Sequence, residues 1–177
     1  MIRAVAAPEL PALHALVETA NRGDVARRGW THEADLLGGQ RTDLEALHEV
    51  FADPRQCIFV AVKAGALVGA ITVIDRGEGV GGLAMLAVHP DHQTAGLGRQ
   101  LLTAAEIYAA SHFGSRDMVM TVIKQRPALI AYYTRRGYRL TGEEEPFPHG
   151  DERFGVAADP ALVFVVLAKA LGLEARA

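Results

Sequence analysis

One stretch of the sequence combines the residue types that a phosphate site needs with the spacing of a strand-to-helix turn. Residues 93–99 contain two glycines, follow the exit Val88-His89-Pro90, and lead into a helical pattern. The first turn of a helix carries backbone N–H groups without intrahelical partners, at the positive end of the helix dipole. Glycine lets a phosphate approach these groups because no Cβ stands in the way. The stretch therefore predicts a site for a diphosphate.

Alone, this pattern is weak evidence. Gln or Arg, two residues, Gly, one residue and Gly arise by chance in roughly one chain in ten of this length. The alternative is an ordinary glycine-rich turn between a strand and a helix. Two other phosphate loops are excluded by the residues themselves. A dinucleotide fingerprint would need glycine where Leu101 stands, and a nucleoside-triphosphate loop would need Gly-Lys followed by Ser or Thr.

A second pattern places a tyrosine near the end of a predicted helix. Residues 129–138 read Leu-Ile-Ala-Tyr-Tyr-Thr-Arg-Arg-Gly-Tyr, with Tyr133 ahead of Gly137. Glycine often ends a helix because it adopts the left-handed conformation that closes the last turn. Leu129 and Tyr133 share one helix face, so one interpretation of Tyr133 is an aromatic residue of the core. The spacing alone leaves its role open.

Taken together, these residues resemble the GNAT superfamily of N-acetyltransferases. The first stretch is similar to that family's acetyl-CoA signature of Gln or Arg, two residues, Gly, one residue, and Gly or Ala, which follows a strand ending in Val-x-Pro. The second is similar to the family's pattern of an aromatic residue or Leu, then Tyr, three residues, Gly and an aromatic residue. Arg126 is a departure, because the family often has Asn there in contact with the CoA arm. Two interpretations of Arg126 stay open: it replaces that contact with a charged donor, or it only occupies the helix entry ahead of Pro127.

The resemblance implies an α/β GNAT fold, with a mixed, mostly antiparallel sheet of six to seven strands flanked by about four helices. It also implies an acyltransferase with acetyl-CoA as the donor, no metal, and a backbone N–H of the strand before the signature as the oxyanion donor. The implied acetyl-CoA contacts are Leu86, Ala87, Val88, Gln93, Thr94, Ala95, Gly96, Leu97, Gly98 and Arg99. Tyr133 is implied as the acid that protonates the departing thiolate.

The implied acceptor is a primary amine on a small molecule, an amino acid or a peptide terminus, which attacks the thioester directly. Two alternatives stay open. A non-catalytic acyl-CoA sensor or interaction module would use the same pocket, and a domain in which Gly96 and Gly98 only form a turn would bind no CoA. Turnover of an amine tests the first alternative, and calorimetry with CoA tests the second.

The acceptor side offers a weaker signal. An amine with a pKa near ~10.4 is mostly protonated at neutral pH, so attack needs a base or a water chain to remove a proton. Within residues 30–35, Trp30 is interpreted as a wall of the acceptor site and Glu33 as the first candidate for the base. The alternative for Glu33 is an acid at a helix N-terminus. The other candidates, Glu143–Glu145, His89 and His92, are interpreted as surface groups.

The elements that must position these residues follow from hydrophobic periodicity and turn signals. A short first strand and two helices precede three strands in series, which predicts an antiparallel meander. Ala64-Gly65 predicts a tight hairpin within it. The strand, loop, helix and strand that follow predict a parallel pair with a right-handed crossover. The predicted strands are 2–5, 58–63, 66–75, 81–88, 118–123, 138–142 and 162–168, and the predicted helices begin near 8, 44, 97 and 127.

Bulk composition excludes several other classes of protein. The 177 residues fit one domain over 1–177, and 18 Lys and Arg against 21 Asp and Glu give a net charge of -3, which argues against a nucleic-acid surface. Cys57 is the only cysteine, so a cysteine-based zinc site cannot be built. The longest apolar run, 161–168, is far short of the roughly 20 residues that span a bilayer. We therefore expect a cytoplasmic protein without a membrane partner, and leave a homodimer open.

Overall fold

The central feature of the computed structural model, which describes residues 1–172, is a seven-stranded sheet in the order β1-β3-β4-β5-β6-β9-β7. Its strands are β1 Ile2–Ala4, β3 Gln56–Lys63, β4 Ala66–Asp75, β5 Val80–Val88, β6 Asp117–Ile123, β7 Arg139–Pro146 and β9 Val163–Ala170. Neighbouring strands pair antiparallel except β5 and β6, which are parallel. The predicted mixed, mostly antiparallel sheet is confirmed. A separate antiparallel pair joins β2 Leu37–Gly38 to β8 Val156–Ala157.

Helices cover both faces of this sheet. They are α1 Leu10–Asn21, α2 Gly23–Ala26, α3 Leu44–Ala52, α4 Leu97–His112 and α5 Pro127–Thr134. Leu10, Leu13 and Val17 of α1 pack in one apolar cluster with Val60. Leu101 and Ala105 of α4 pack in a second cluster with Ala61, the next residue of β3. Because successive side chains of a strand point to opposite faces, α1 and α4 lie on opposite sides of the sheet.

The parallel strands β5 and β6 separate soon after they meet. Their registered pairs run only from Val80 with Asp117 to Gly82 with Val119. Further along β5, Met85 has φ +52°, and the register with β4 shifts between Ala70 and Thr72. An extra residue in one strand bends it and increases its twist. The edge of β5 that would continue to pair with β6 therefore faces a gap.

Most predicted elements are found within two or three residues of their expected ends. The Ala64-Gly65 hairpin is confirmed, with φ 49° and 80° at its two central residues, as a tight hairpin turn requires. The last segments differ more. The strand predicted to end at Gly142 continues to Pro146, so Glu143–Glu145 lie in β7. The two short strands β2 and β8 and the short helix α2 were not predicted.

Among residues 1–172, no helix is long and apolar enough to cross a membrane. The predicted domain over 1–177 includes residues 173–177, which lie outside the described residues.

Candidate active site

The gap between β5 and β6 opens into a cavity of about 600 Å³. Its walls come from the second half of β5, from β6, from the start of α4, from α5, and from the segments around residues 30–33 and 147–148. The lining residues include Trp30, Thr31, Glu33, Arg41, Leu86, Ala87, Val88, Gln93, Gly96, Gly98, Arg126, Tyr132, Tyr133, Arg136, Phe147 and Phe164. The cavity thus brings together both sequence patterns and the residues predicted for the acceptor side.

The start of α4 has the geometry of an anion cradle. Gly96 precedes the helix with φ +73°. The first hydrogen bond of the helix runs from the Gln100 N–H to the Gly96 carbonyl, at 3.1 Å. The N–H groups of residues 97–99 therefore lack intrahelical acceptors. A Cβ on Gly96 would meet nothing within 4 Å, so the space beside this residue is open. A Cβ on Gly98 would lie 2.8 Å from the hydroxyl oxygen of Tyr132, which explains the second glycine.

Gln93 joins this loop to the acceptor side. Its side-chain amide donates to the carbonyl oxygens of Thr31, at 3.1 Å, and of Val88, at 3.2 Å. Its Oε1 accepts from the Thr31 N–H at 3.4 Å. Gly29 has no side chain because any Cβ there would overlap the Gln93 amide. The side chain of Gln93 thus holds residues 29–31 against the end of β5, and its prediction as a coenzyme contact stays a prediction.

Tyr133 belongs both to the hydrophobic core and to the cavity wall. It is buried, and its ring makes edge-to-face contacts with Tyr132 and Tyr138, at centroid distances of 5.3 and 6.0 Å. Burial raises the pKa of the Tyr133 phenol well above its usual value. The phenol therefore keeps its proton at neutral and mildly alkaline pH. This arrangement suits a hydrogen-bond donor aimed at a developing negative charge.

Glu33 is a buried carboxylate shared by three arginines. Its oxygens lie 2.6 Å from Arg22 Nη1, 3.3 Å from Arg126 Nη1 and 3.4 Å from Arg41 Nε. Burial by itself raises the pKa of Glu33, but the combined effect of the three arginines is larger and opposite, so the pKa lies below its usual value. Glu33 begins no helix, since its carbonyl accepts from the Leu36 N–H in a turn. Its role as the base stays a prediction, in surroundings that favour the ionised carboxylate.

The rim of the cavity carries a stack of aromatic and cationic side chains. The Trp30 ring is 45% exposed, and its centroid lies 5.3 Å from that of Tyr132. On the same tyrosine, the guanidinium carbon of Arg136 lies 3.4 Å from the ring centroid, a cation–π contact. Trp30 therefore lies at the rim, packed against α5, and its role as a wall of the acceptor site stays a prediction.

A basic depression lies beside the start of α4. Arg99, Arg135, Arg136 and Lys169 line it, with Glu106 as the acid in its wall, and its volume is about 570 Å³. Glu106 binds Lys169 at 2.8 Å, so that pair is largely balanced. Arg136 lines both the depression and the cavity. Except for the adjacent Arg135 and Arg136, the basic residues of this depression are far apart in sequence, so no sequence pattern marks them as a group.

The polar residues of the acceptor side were not predicted as a group. Arg126 was interpreted as a charged donor to the CoA arm or as a residue of the helix entry, yet it donates to Thr31 Oγ1 at 2.7 Å and to Glu33 at 3.3 Å. Its side chain is thereby directed towards the segment around residues 30–33. Arg41 had no periodic or motif signal at all. Among residues 1–172, no group of three or more His, Cys, Asp or Glu side chains is placed to hold a metal ion.

Comparison with known proteins gives a consistent result. The model of the acetyltransferase (GNAT) family matches residues 21–138. A ribosomal-protein-alanine N-acetyltransferase from Brucella melitensis has 20% identity and a TM-score of 0.68, over 97% of this chain and 99% of that one. The structure of yncA of Salmonella typhimurium, described as an acetyltransferase and solved with acetyl-CoA, has 20% identity and a TM-score of 0.69, over 100% of this chain and 96% of that one. A variant of spermidine N-acetyltransferase from Vibrio cholerae has 16% identity and a TM-score of 0.67, over 96% of this chain and 94% of that one. No curated protein matches the sequence significantly.

Proposed function

The chain belongs to the GNAT family of acetyltransferases, and from this premise we propose that it transfers the acetyl group of acetyl-CoA to a primary amine. The amine nitrogen attacks the thioester carbon directly, and the carbon–sulfur bond then breaks. The observation that carries this proposal is the arrangement around the cavity. The unpaired edge of β5, the cradle at the start of α4 and the hydroxyl-bearing ring of Tyr133 all line one cavity. We propose that one domain contains the whole site.

The chain's own groups fit the successive parts of acetyl-CoA. The N–H groups of residues 97–99 suit the diphosphate, because they converge at the positive end of α4. The free edge of β5 at residues 86–88 suits the pantetheine amides, much as an added strand would pair with it. Arg99 and Arg135 in the basic depression suit the phosphate of the nucleotide. The backbone N–H groups are fixed by helix or sheet, so they need little ordering on binding.

Two groups serve the reaction itself. A backbone N–H of residues 86–88 donates to the oxygen that becomes negative as the amine adds to the carbonyl. Tyr133 donates a hydrogen bond to the sulfur as it leaves with the electron pair of the broken bond. Because the pKa of the Tyr133 phenol is raised and lies above that of a thiol, near ~8.5, the phenol keeps its proton and stabilises the leaving thiolate through the hydrogen bond.

The proton of the attacking amine needs a separate acceptor. Glu33 remains the predicted base, since it is the acid in the cavity wall. The lowered pKa of Glu33 makes it a weak base, so we propose that its larger contribution is to hold Arg126 and Arg41 in place. Proton removal then passes mainly to water in the cavity. A dependence of kcat on Glu33 without a change in stability would instead favour the base.

A panel of primary amines with acetyl-CoA tests the proposed reaction. We expect release of free CoA thiol only when both substrates are present, and an acetylated amine detected by mass spectrometry. Matched reactions with acetyl-CoA alone measure hydrolysis, which should be slow. Tight CoA binding without release of thiol for any amine would contradict the transfer reaction and favour a sensor.

Replacing Gly96 with Ala tests the anion cradle. Ala is strained at the positive φ of Gly96, directly before the first turn of α4, and its Cβ would extend into open space, so we expect the Kd for CoA to rise about tenfold, measured by calorimetry. Gly142 in β7 is the matched control. It also has positive φ and open space around it, so its replacement by Ala carries a similar backbone strain far from the cradle. Equal CoA affinities for the two variants would contradict the cradle.

A further inference from the structure

The acceptor side of the cavity has an unusual charge balance. Glu33 is the acid among the described lining residues, whereas Arg41 and Arg126 both line the same wall. Arg22 makes the shortest contact with Glu33, at 2.6 Å, whereas Arg126 and Arg41 stand at 3.3 and 3.4 Å. One carboxylate is thus shared by several guanidinium groups. Arg41 and Arg126, the cavity-lining arginines that contact Glu33, therefore retain positive potential that an anion could satisfy.

Arg126 is fixed in a position to meet such an anion. It precedes α5, and its Nη2 donates to Thr31 Oγ1 at 2.7 Å while its Nη1 contacts Glu33. Its side chain is 13% exposed, and burial lowers the pKa of the guanidinium. A cation that is incompletely compensated away from water gains from a second anion. Arg41 is held on the other side of Glu33, since Glu18 accepts from the backbone N–H of Arg41 at 2.8 Å.

The anion site lies near the reacting end of the cavity. Arg126 and Tyr133 lie at opposite ends of the short helix α5 and both face the cavity, and the guanidinium charge is felt at the Tyr133 phenol. If Tyr133 faces the sulfur, as the proposed function requires, an anion on Arg126 lies in the same cavity as the carbon that the amine attacks. Because this cavity must also hold the pantetheine arm, it favours an acceptor in which a short spacer joins the amine and the anion. An α-amino acid has the shortest such spacer, since both groups are attached to one carbon.

The cavity disfavours acceptors with several positive charges. A polyamine needs carboxylates for its distant ammonium groups, and the described lining residues supply only Glu33, already bound by arginines. The same cavity also has an apolar part of its wall, where the rings of Phe147 and Phe164 pack at 5.5 Å between centroids. The cavity must also hold the pantetheine arm, so the acceptor is small.

From these contacts we infer that the acceptor is a free α-amino acid with an apolar side chain, whose carboxylate binds Arg126 and Arg41. The inference rests on the proposed amine acetylation and specifies its substrate class. The carboxylate receives charge-assisted hydrogen bonds from the two guanidinium groups. The α-amino group then lies towards the thioester, and the side chain lies against Phe147 and Phe164.

A comparison of each apolar amino acid with its own α-amide tests this inference. The pair differs in the charge of the carboxyl group, and an amide also mimics a peptide N-terminus. The amide has a lower amine pKa as well, so kcat/KM is compared per neutral amine. We expect kcat/KM for the acid to exceed that for the amide at least about tenfold, and spermidine to be a poorer acceptor than either. Amides or spermidine turned over as well as the acids would overturn the inference and leave amine acetylation standing.

Arginine variants locate the carboxylate site. Arg126→Gln should raise KM for the amino acid with a smaller effect on kcat, and should reduce the preference over the amide to within about threefold. Arg41→Gln should do the same to a smaller degree, and Arg126→Lys should recover part of the preference. Arg139→Gln, on the exposed strand β7, is the matched control and should leave the preference unchanged. An unchanged preference in Arg126→Gln and Arg41→Gln would overturn the assignment.

Direct binding separates this inference from the proposed function. Calorimetry with the CoA-bound protein should detect the amino acid, and Arg126→Gln should weaken that binding at least about tenfold. Binding of this kind without turnover would support the carboxylate site and contradict the proposed transfer. Amino acids that bind no more tightly than their amides would overturn the carboxylate site, whatever the turnover.

Discussion

Replacing Tyr133 with Phe is expected to lower kcat about 100-fold and to change KM for acetyl-CoA little. The substitution removes the hydroxyl that we place beside the leaving sulfur. It keeps the ring, which packs between Tyr132 and Tyr138. The loss should therefore appear in the transition state and not in the binding of the donor. Steady-state kinetics of thiol release, with melting temperatures recorded for both proteins, measure the effect.

Tyr138 provides a matched control for this variant. It is also buried, but its hydroxyl donates to Glu106 at 2.8 Å, away from the cavity wall formed by β5. Tyr138→Phe should lower stability and leave kcat within about threefold of the wild type, because it removes a hydrogen bond outside the reacting group. Similar kcat values for the two variants would remove Tyr133 from the reaction and leave it a residue of the core.

Replacing Glu33 with Gln is expected to lower the free energy of unfolding by about 3–5 kcal/mol at neutral pH. The variant leaves three guanidinium groups, those of Arg22, Arg41 and Arg126, without the carboxylate that they share. Urea denaturation at pH 7 measures the change. Glu144→Gln is the control, because Glu144 forms an exposed pair with Lys124 and its loss should cost at most about 1 kcal/mol. Equal effects of the two substitutions would contradict a structural role for Glu33.

The Glu33 contribution also has a defined pH dependence. Its pKa in the folded protein lies below the unfolded value of ~4.3, so the folded state binds the proton more weakly. The stabilisation is therefore present above that unfolded value and is lost as the pH falls through the lowered folded pKa. The difference in stability between wild type and Glu33→Gln should shrink in acid. A difference that grows as the pH falls would contradict the charge cluster.

Local sequence patterns were sufficient to predict the helix and strands that are proposed to hold acetyl-CoA, the acetyl donor. The recurrence of Leu97, Leu101 and Ala105 predicts α4, and Gly96 marks its start because only a residue tolerant of positive φ fits there. The hairpin at Ala64-Gly65 also depends on neighbouring residues alone. These features could be predicted because their causes lie within one turn of the chain. The resemblance to a known family then supplied what the local patterns leave open, the identity of the ligand.

The acceptor side could not be predicted in the same way, because its causes are long-range. The cluster around Glu33 draws arginines from positions 22, 41 and 126, and none of them belongs to a periodic pattern. The opening between β5 and β6 begins near Met85, a non-glycine residue with positive φ that no sequence rule would place there. Tyr133 shows why the two interpretations of a helical aromatic did not exclude each other. It is both buried in the core and part of the cavity wall.

The most direct test of the central claim is the stoichiometry of transfer under single-turnover conditions. Enzyme, acetyl-CoA and an amine acceptor are mixed, and free CoA thiol and N-acetylated product are quantified in the same samples. We expect one equivalent of each, formed together, and neither when the amine is omitted. Binding of CoA with no amine-dependent release of thiol, across acids, amides and polyamines, would contradict the account.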